Sequence, residues 1–227
     1  MLNPMPKTFD YRPPTEPWLA VLHADDDIVV LDKPSGLLTV PGKDPALADS
    51  LETRARGRWP TAKVVHRLDK DTSGILLMAL NKRALGQLGS QFEHRRTIKS
   101  YVARVFGRLE PAHGIVDLPL ATDWEHKPRQ RVDHERGRAS RTEWTVLGHE
   151  AGSHEAGATR VRLVPHTGRT HQLRVHMLAL GHPILGDVFY ATGAALAGAD
   201  RLQLHAEELG FTHPDGTALQ FVSPAPF

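Results

Sequence analysis

Short apolar runs, each closed within a few residues by a turn signal, follow one another along most of this chain, and that rhythm restricts its fold more than any other feature. Residues 18–32 (WLAVLHADDDIVVLD) read as two short strands around an acidic turn, Asp25–Asp27. Pro34-Ser35-Gly36 is a turn signal. Val64–Leu68 reads as a short strand entering a polar turn, Asp69–Ser73, and Ile75–Leu80, flanked by Gly74, as a buried strand. Ile98–Gly107, Arg141–Leu147, Arg160–Val164, Leu202–Phe211 and Leu219–Val222 complete the expected strands, with Gly148–Thr159 as a hairpin loop. In Arg160–Val164, Val161 and Leu163 point one way and Arg160 and Arg162 the other.

Helical stretches are fewer. They are Ala46–Arg56; Lys82–Arg95, where Leu85, Leu88 and Phe92 share a face; and Thr170–Leu180, with Leu173, Met177 and Leu180 on one stripe. Strands outnumber helices and short turns join most of them. The expected class is therefore α+β, with a largely antiparallel mixed central sheet and flanking helices, not a doubly wound sheet. No repeat and no linker marks a second domain. Residues 1–17, with five prolines, are expected to be an extended lead-in, and 18–227 a single domain.

Several function classes are excluded at once. Cysteine is absent, which removes disulfides, thiol nucleophiles and Cys-ligated metals. No uncharged run exceeds 12 residues, whereas a membrane span needs roughly 18. The proline-rich start lacks the apolar run of a signal peptide, so a cytoplasmic protein is expected. No GxGxxG or GxSxG occurs, and the nearest phosphate-loop frame, Gly193–Gly198, is followed by Ala-Asp instead of Lys-Ser/Thr. His171 and His176 lie five apart, about 140° around a helix, and so cannot share a ligand face. No metal and no cofactor is expected.

Charge is informative through its distribution. The chain carries 28 basic and 26 acidic residues, but the basic ones cluster and are mostly arginine. Residues 94–108 hold Arg95, Arg96, Lys99, Arg104 and Arg108 without an acid. Residues 126–141 hold Lys127, Arg129, Arg131, Arg136, Arg138 and Arg141 against Asp133 and Glu135, and residues 160–174 hold four arginines and no acid. Guanidinium groups bind phosphate bidentately and stack on bases, which suits RNA. Merely solvated faces would give the same counts.

The chemistry-bearing stretch is His66-Arg67-Leu68-Asp69-Lys70-Asp71-Thr72-Ser73-Gly74. In an extended segment Arg67 and Asp69 share a face, with Leu68 anchored on the other. A carboxylate beside a fixed cation stays ionised and is available as nucleophile or base. Taken alone, an Arg–Asp pair opening a turn is far more often plain surface. Two further segments alter that balance. Lys99-Ser100-Tyr101 puts a phenol among cations at the head of a strand, and Thr167–His176 (TGRTHQLRVH) runs from a turn into a helix with Arg169 at its anion-favouring end.

HRLDKDTSG resembles the catalytic-aspartate motif of the RluA-type pseudouridine synthases. Other segments similar to that family follow its order: Asp32–Gly42 (DKPSGLLTVPG), Lys99–Gly107 (KSYVARVFG), Thr167–Met177 (TGRTHQLRVHM) and Gly181–Tyr190 (GHPILGDVFY). The similarity runs from Pro13–Leu19 to Leu202–Leu209. Asp123–Val132 (DWEHKPRQRV) resembles the dual-specificity branch, and the short stretch before the first motif leaves no room for the S4 RNA-binding domain of several members. Lys70-Asp71, Lys99-Ser100 and the Gly148–Thr159 loop depart from the family pattern and bear on fine specificity.

The resemblance implies a pseudouridine synthase fold with a catalytic cleft, and isomerisation of uridine to pseudouridine in structured RNA without cofactor or metal. The implied targets are position 746 of 23S rRNA and position 32 of the tRNA anticodon loop. The implied nucleophile is Asp69. Tyr101 would stack on the flipped uracil and is a candidate for removing the C5 proton, and Arg169 would keep Asp69 charged. Arg67 would fill the space the base vacates or grip its phosphate. His66, Leu68 and Leu173 are expected around the substrate, and Arg129 and Arg131 on the RNA backbone. RNA is the only partner expected, with the protein a monomer. A non-catalytic RNA-binding module and a metal-free nucleoside glycosidase are the alternatives. The first leaves HRLD with TGRTHQLR unexplained, the second the spread of arginines.

Overall fold

The computed structural model describes residues 11–151 and 157–227. In chain order its elements are β1 (Ala20–Ala24), β2 (Ile28–Lys33), α1 (Leu51–Arg58), β3 (Lys63–Val64), β4 (Ser73–Ala79), α2 (Lys82–Glu93), β5 (Ile98–Phe106), β6 (His113–Asp117), β7 (Leu120–Thr122), β8 (Gln130–Val132), β9 (Arg141–Glu150), β10 (Ala158–Pro165), α3 (Gln172–Ala179), α4 (Gly193–Ala197), β11 (Leu204–Thr212) and β12 (Ala218–Val222). The sheet is mixed and helices are few, as an α+β chain requires. Two compact units can be distinguished. One holds the described residues through Lys99 with His205–Pro226, the other Ser100–Leu204 with Phe227.

In the first unit β1 and β2 pair antiparallel. Asp25 makes their turn: its Oδ1 accepts from the N–H groups of Asp27 and Ile28, both at 2.8 Å. β2 and β3 each pair with β4 antiparallel, β11 lies parallel to β4, and β12 closes on β11 antiparallel. Every residue of β4 is buried, in keeping with its unbroken apolar sequence. Gly74 has φ +112°, and an added Cβ would lie 2.3 Å from the Ala206 carbonyl oxygen, so only glycine lets β4 and β11 approach this closely. Asn81 caps α2 by accepting the Ala84 N–H at 2.9 Å. The buried face of α2, Ala84 and Leu88, packs into a core with Ile28, Val30, Ile75, Leu77 and Phe211, with Leu85 and Phe92 against its edge.

The lead-in lies outside the described residues up to position 10. Its described part is tied down: the Tyr11 hydroxyl donates to the Asp49 carbonyl at 2.8 Å, and Arg54 donates to the carbonyls of Pro14 and Trp18.

Two expected boundaries in this unit are corrected. The stretch expected as one helix, Ala46–Arg56, is a 3-10 turn (Pro45–Leu47) followed by α1. Asp44 captures the first turn and Ser50 caps the second, accepting the Thr53 N–H at 3.1 Å. The expected strand Val64–Leu68 survives only as β3. Val65 N–H still reaches the Leu77 carbonyl at 3.2 Å, but beyond it side chains replace the ladder: the Leu77 N–H donates to the His66 ring, and the Leu68 main chain is held by the Thr39 hydroxyl.

In the second unit the antiparallel order is β5-β10-β9-β6. Val161 and Leu163 are fully buried and Arg162 exposed, as the alternation predicts. The expected Gly148–Thr159 loop is shorter, because β9 extends to Glu150 and β10 begins at Ala158. Its residues 152–156 lie outside the described ones. β7 and β8 form a separate two-stranded sheet. These two, β6 and α4 are absent from the sequence reading: each is at most five residues long, too short to show a period.

α3 also differs from expectation. It carries no single apolar stripe, because all of Gln172–Met177 are buried, Arg174 and His176 included. Each polar side chain has a partner. Arg174 forms a bidentate pair with Asp187 (2.7 and 2.6 Å), and His176 bonds the Thr142 hydroxyl (2.9 Å) and the Leu118 carbonyl (3.1 Å). No described helix is long and apolar enough to cross a membrane.

Candidate active site

The Asp69 loop is held by the Asp32–Gly42 segment of the same unit. The Thr39 hydroxyl donates to the Leu68 carbonyl at 2.7 Å and accepts the Leu68 N–H at 3.3 Å. Lys33, fully buried, donates to the carbonyls of Pro34 (2.9 Å), Leu37 (2.7 Å) and Lys70 (2.8 Å). An ammonium has three protons, and these three carbonyls use them all. Gly36 N–H also reaches the Lys70 carbonyl (3.0 Å), and the Ser35 hydroxyl the Asp71 carbonyl (2.7 Å). Thr72 N–H closes the turn on the Asp69 carbonyl at 3.2 Å. The carbonyls of residues 68 to 71 are thus all engaged, which leaves the Asp69 backbone little freedom. Leu68 is buried, Asp69 half-buried and Arg67 exposed, so the expected alternation persists without a strand.

His66 has a different surrounding from the substrate position expected of it. Its Nε2 accepts the Leu77 N–H at 3.1 Å, and its ring stacks on Phe92 at 4.5 Å. Burial, aided by the charge of Lys99, pushes its pKa down to about 3. Lys99 itself is lowered by burial and by Arg95. An unfolded His titrates near 6.5. Below that pH the unfolded chain takes up a proton that the folded protein refuses, so stability is level above about pH 6.5 and falls as pH drops toward 3. His176, also lowered by burial, acts in the same direction. Thermal melts between pH 8 and 4.5 are expected to show this fall. His66→Gln, which keeps an acceptor for Leu77 without a titrating ring, is expected to shallow it. An unchanged profile would remove His66 as the cause.

The second unit carries Tyr101 and Arg169. Tyr101 lies on β5 opposite Leu163 of β10, packed against the core that includes Ala103, Val105, Val161 and Met177. The loop bearing Arg169 is fixed by Gln172. The Gln172 Oε1 accepts the Thr167 hydroxyl (2.7 Å) and the Arg169 N–H (3.1 Å), while its amide donates to the Arg141 carbonyl (3.0 Å) and the Thr142 hydroxyl (3.1 Å). His171, at φ +54°, stands just before α3 and bonds the Tyr190 hydroxyl at 2.7 Å through Nδ1. That hydroxyl also accepts the Gln130 N–H at 2.8 Å, so one phenol oxygen ties β8 to the residue that opens α3.

The remaining expected contacts divide. Arg131 is exposed, beside Asp133 at 3.2 Å. Arg129 is only 2 % exposed, which corrects its expected place on the RNA backbone: it stands in the β7–β8 connection, immediately before β8, with its side chain buried. Leu173 belongs to the core of the second unit. The acid-free stretch 160–174 is not a uniform basic face either, because Arg174 is neutralised by Asp187 and Arg160 shares Glu150 (3.0 Å) with Arg104 (2.6 Å), both acids lying outside that window. Thr39, Lys33, Gln172, Tyr190 and Asp187 were not singled out beforehand, although each falls within a quoted motif. Among the described residues no three His, Asp or Glu side chains gather as a metal ion needs.

The sequence that builds the clamped Asp69 turn and the Tyr101 and Arg169 segments falls within a known class. Residues 27–179 match the family described as RNA pseudouridylate synthase, and the chain belongs to that family. It is 52% identical over 219 residues to the dual-specificity RNA pseudouridine synthase RluA of Salmonella typhi, across 96% of this chain and 98% of the relative. The corresponding enzyme of Escherichia coli strain K12 gives the same identity and coverage. Among solved structures, human RNA pseudouridylate synthase domain containing 1 superposes with a TM-score of 0.78 at 31% identity, over 92% of this chain and 84% of that one. The protein is a pseudouridine synthase, an isomerase of uridine in RNA.

Proposed function

We propose that this enzyme is dual-specific, converting one uridine in ribosomal RNA and one in a tRNA anticodon loop. Similarity at 52% across 96% of the chain to relatives named dual-specificity enzymes carries the reading. The N1–C1′ bond breaks, the uracil turns, C5 bonds to C1′, and the C5 proton is lost as N1 gains one, with no change of oxidation state. Asp69 is the nucleophile, Tyr101 the platform for the flipped uracil, Arg169 the cation that favours a charged carboxylate, and Arg67 the group that replaces the base in its stack. His66 and Leu68 serve indirectly, by setting the loop that carries Asp69. Residues 18–227 work as one catalytic domain, and the protein acts as a cytoplasmic monomer.

One protein can read two RNAs when it recognises the shape of a loop. Short isolated stem-loops are therefore expected to suffice as substrates. Arg131→Glu is expected to weaken binding and flatten its salt dependence while leaving turnover of bound RNA largely intact. Pseudouridine mapping on an anticodon stem-loop and on an rRNA hairpin decides the matter. An unmodified anticodon stem-loop beside a modified rRNA hairpin would reduce the enzyme to one substrate.

A further inference from the structure

We infer that Trp124 is a stacking platform for an unpaired base of the substrate RNA. At 73 % exposure it is the most open of the exposed large hydrophobic side chains among the described residues. It stands in the turn of the β7–β8 hairpin, with Lys127 Nζ 3.7 Å from its ring centroid. An indole with a cation laid against it offers both a π-face and a phosphate partner, which a single nucleotide can use together.

Hydrogen bonds within the turn fix the main chain that carries the indole. Asp123 N–H donates to the Arg129 carbonyl (3.0 Å), His126 N–H to the Asp123 carbonyl (3.3 Å) and Arg129 N–H to the His126 carbonyl (3.0 Å). The Asp123 carboxylate meets His126 Nδ1 at 3.0 Å. The hairpin stem is anchored in turn. Leu120 and Val132 pack with Val175 of α3 and with Tyr190, and the Tyr190 hydroxyl joins Gln130 N–H to His171. A base on Trp124 is thus registered against the helix that Arg169 precedes.

The surroundings favour RNA over a protein surface as the occupant. Arg131, Arg136 and Arg138 are exposed in the same stretch, against the exposed acids Glu125 and Glu135. Asp133 gives one oxygen to the N–H groups of Glu135 and Arg136 and the other to Arg131 at 3.2 Å, so Arg136, Arg138 and Lys127 carry the basic character of the stretch.

The inference rests on the RNA-isomerase reading, and the test separates the two. Fluorescence anisotropy with an RNA stem-loop that the parent enzyme modifies is expected to show affinity about tenfold lower or worse for Trp124→Ala, in the range of a lost base–aromatic stack. Trp124→Phe is expected to retain most of the affinity. The salt slope is expected to stay unchanged in both, because stacking releases no counterions. Turnover at saturating RNA should stay within twofold, and the melting temperature should not move. A scan of single abasic positions should find one that reproduces the loss in the parent and adds nothing to Trp124→Ala. Affinity within twofold for Trp124→Ala, or no such abasic position, overturns the inference while leaving the isomerase reading intact. A parent that modifies no RNA overturns both.

Discussion

Asp69→Asn is expected to make no detectable pseudouridine while remaining folded and bound to RNA. The substitution is nearly isosteric and removes the charge and the nucleophilic oxygen pair. It leaves the loop in place, because the loop is held through main-chain carbonyls by Thr39, Lys33, Ser35 and Gly36, none of which uses the Asp69 side chain. RNA affinity should stay within about tenfold, because phosphate contacts dominate it. Tritium release from RNA labelled at uracil C5 reports the reaction, and an anisotropy titration reports binding. Turnover by the Asn variant above a few per cent of the parent would remove Asp69 from its role. Lost binding together with a lowered melting temperature would show that the carboxylate holds the loop instead.

Where the sequence was readable, it was readable for local reasons. The acidic turn after β1 carries its own bonding pattern in Asp25, and the helical spacing of Leu85, Leu88 and Phe92 marked the face of α2 that packs inward. The site-bearing loop was visible as HRLD, and the alternation of exposed Arg67, buried Leu68 and half-buried Asp69 is as expected. What was hidden depended on partners distant in the chain. The strand expected through Leu68 does not reach it, because Thr39, 29 residues earlier, takes the main-chain groups of Leu68. Arg129 counted as a free cation by composition, yet its guanidinium is buried, and no window of neighbouring residues could reveal that. α3 was read by its apolar stripe, but its polar residues are equally buried, each matched by a group on another element.

The Arg174–Asp187 pair shows how much rests on such matches, and breaking it is expected to give the largest loss of stability in the second unit. Both side chains are essentially out of water, at 2 % and 0 % exposure. The two carboxylate oxygens meet Nε at 2.7 Å and Nη2 at 2.6 Å, and Asp187 also accepts the Phe189 N–H at 2.9 Å. The guanidinium lies 5.1 Å from the Phe189 ring centroid and 5.2 Å from that of Tyr190. Asp187→Ala strands a buried guanidinium with no counter-charge, and removing one partner of such a pair costs about 3–5 kcal/mol. At roughly 2–4 °C per kcal/mol for a domain of this size, the melting temperature should drop by about 6–20 °C. It also frees the Phe189–Tyr190 corner whose hydroxyl steadies Gln130 and His171, so activity is expected to fall with temperature earlier than that of the parent. Replacing both partners by apolar residues, Arg174→Met with Asp187→Leu, leaves no stranded charge and is expected to recover much of the lost stability. Calorimetry on the single and double variants decides it. A double variant no more stable than Asp187→Ala would mean that the geometry of the ion pair, and not the burial of an uncompensated charge, is what this corner requires.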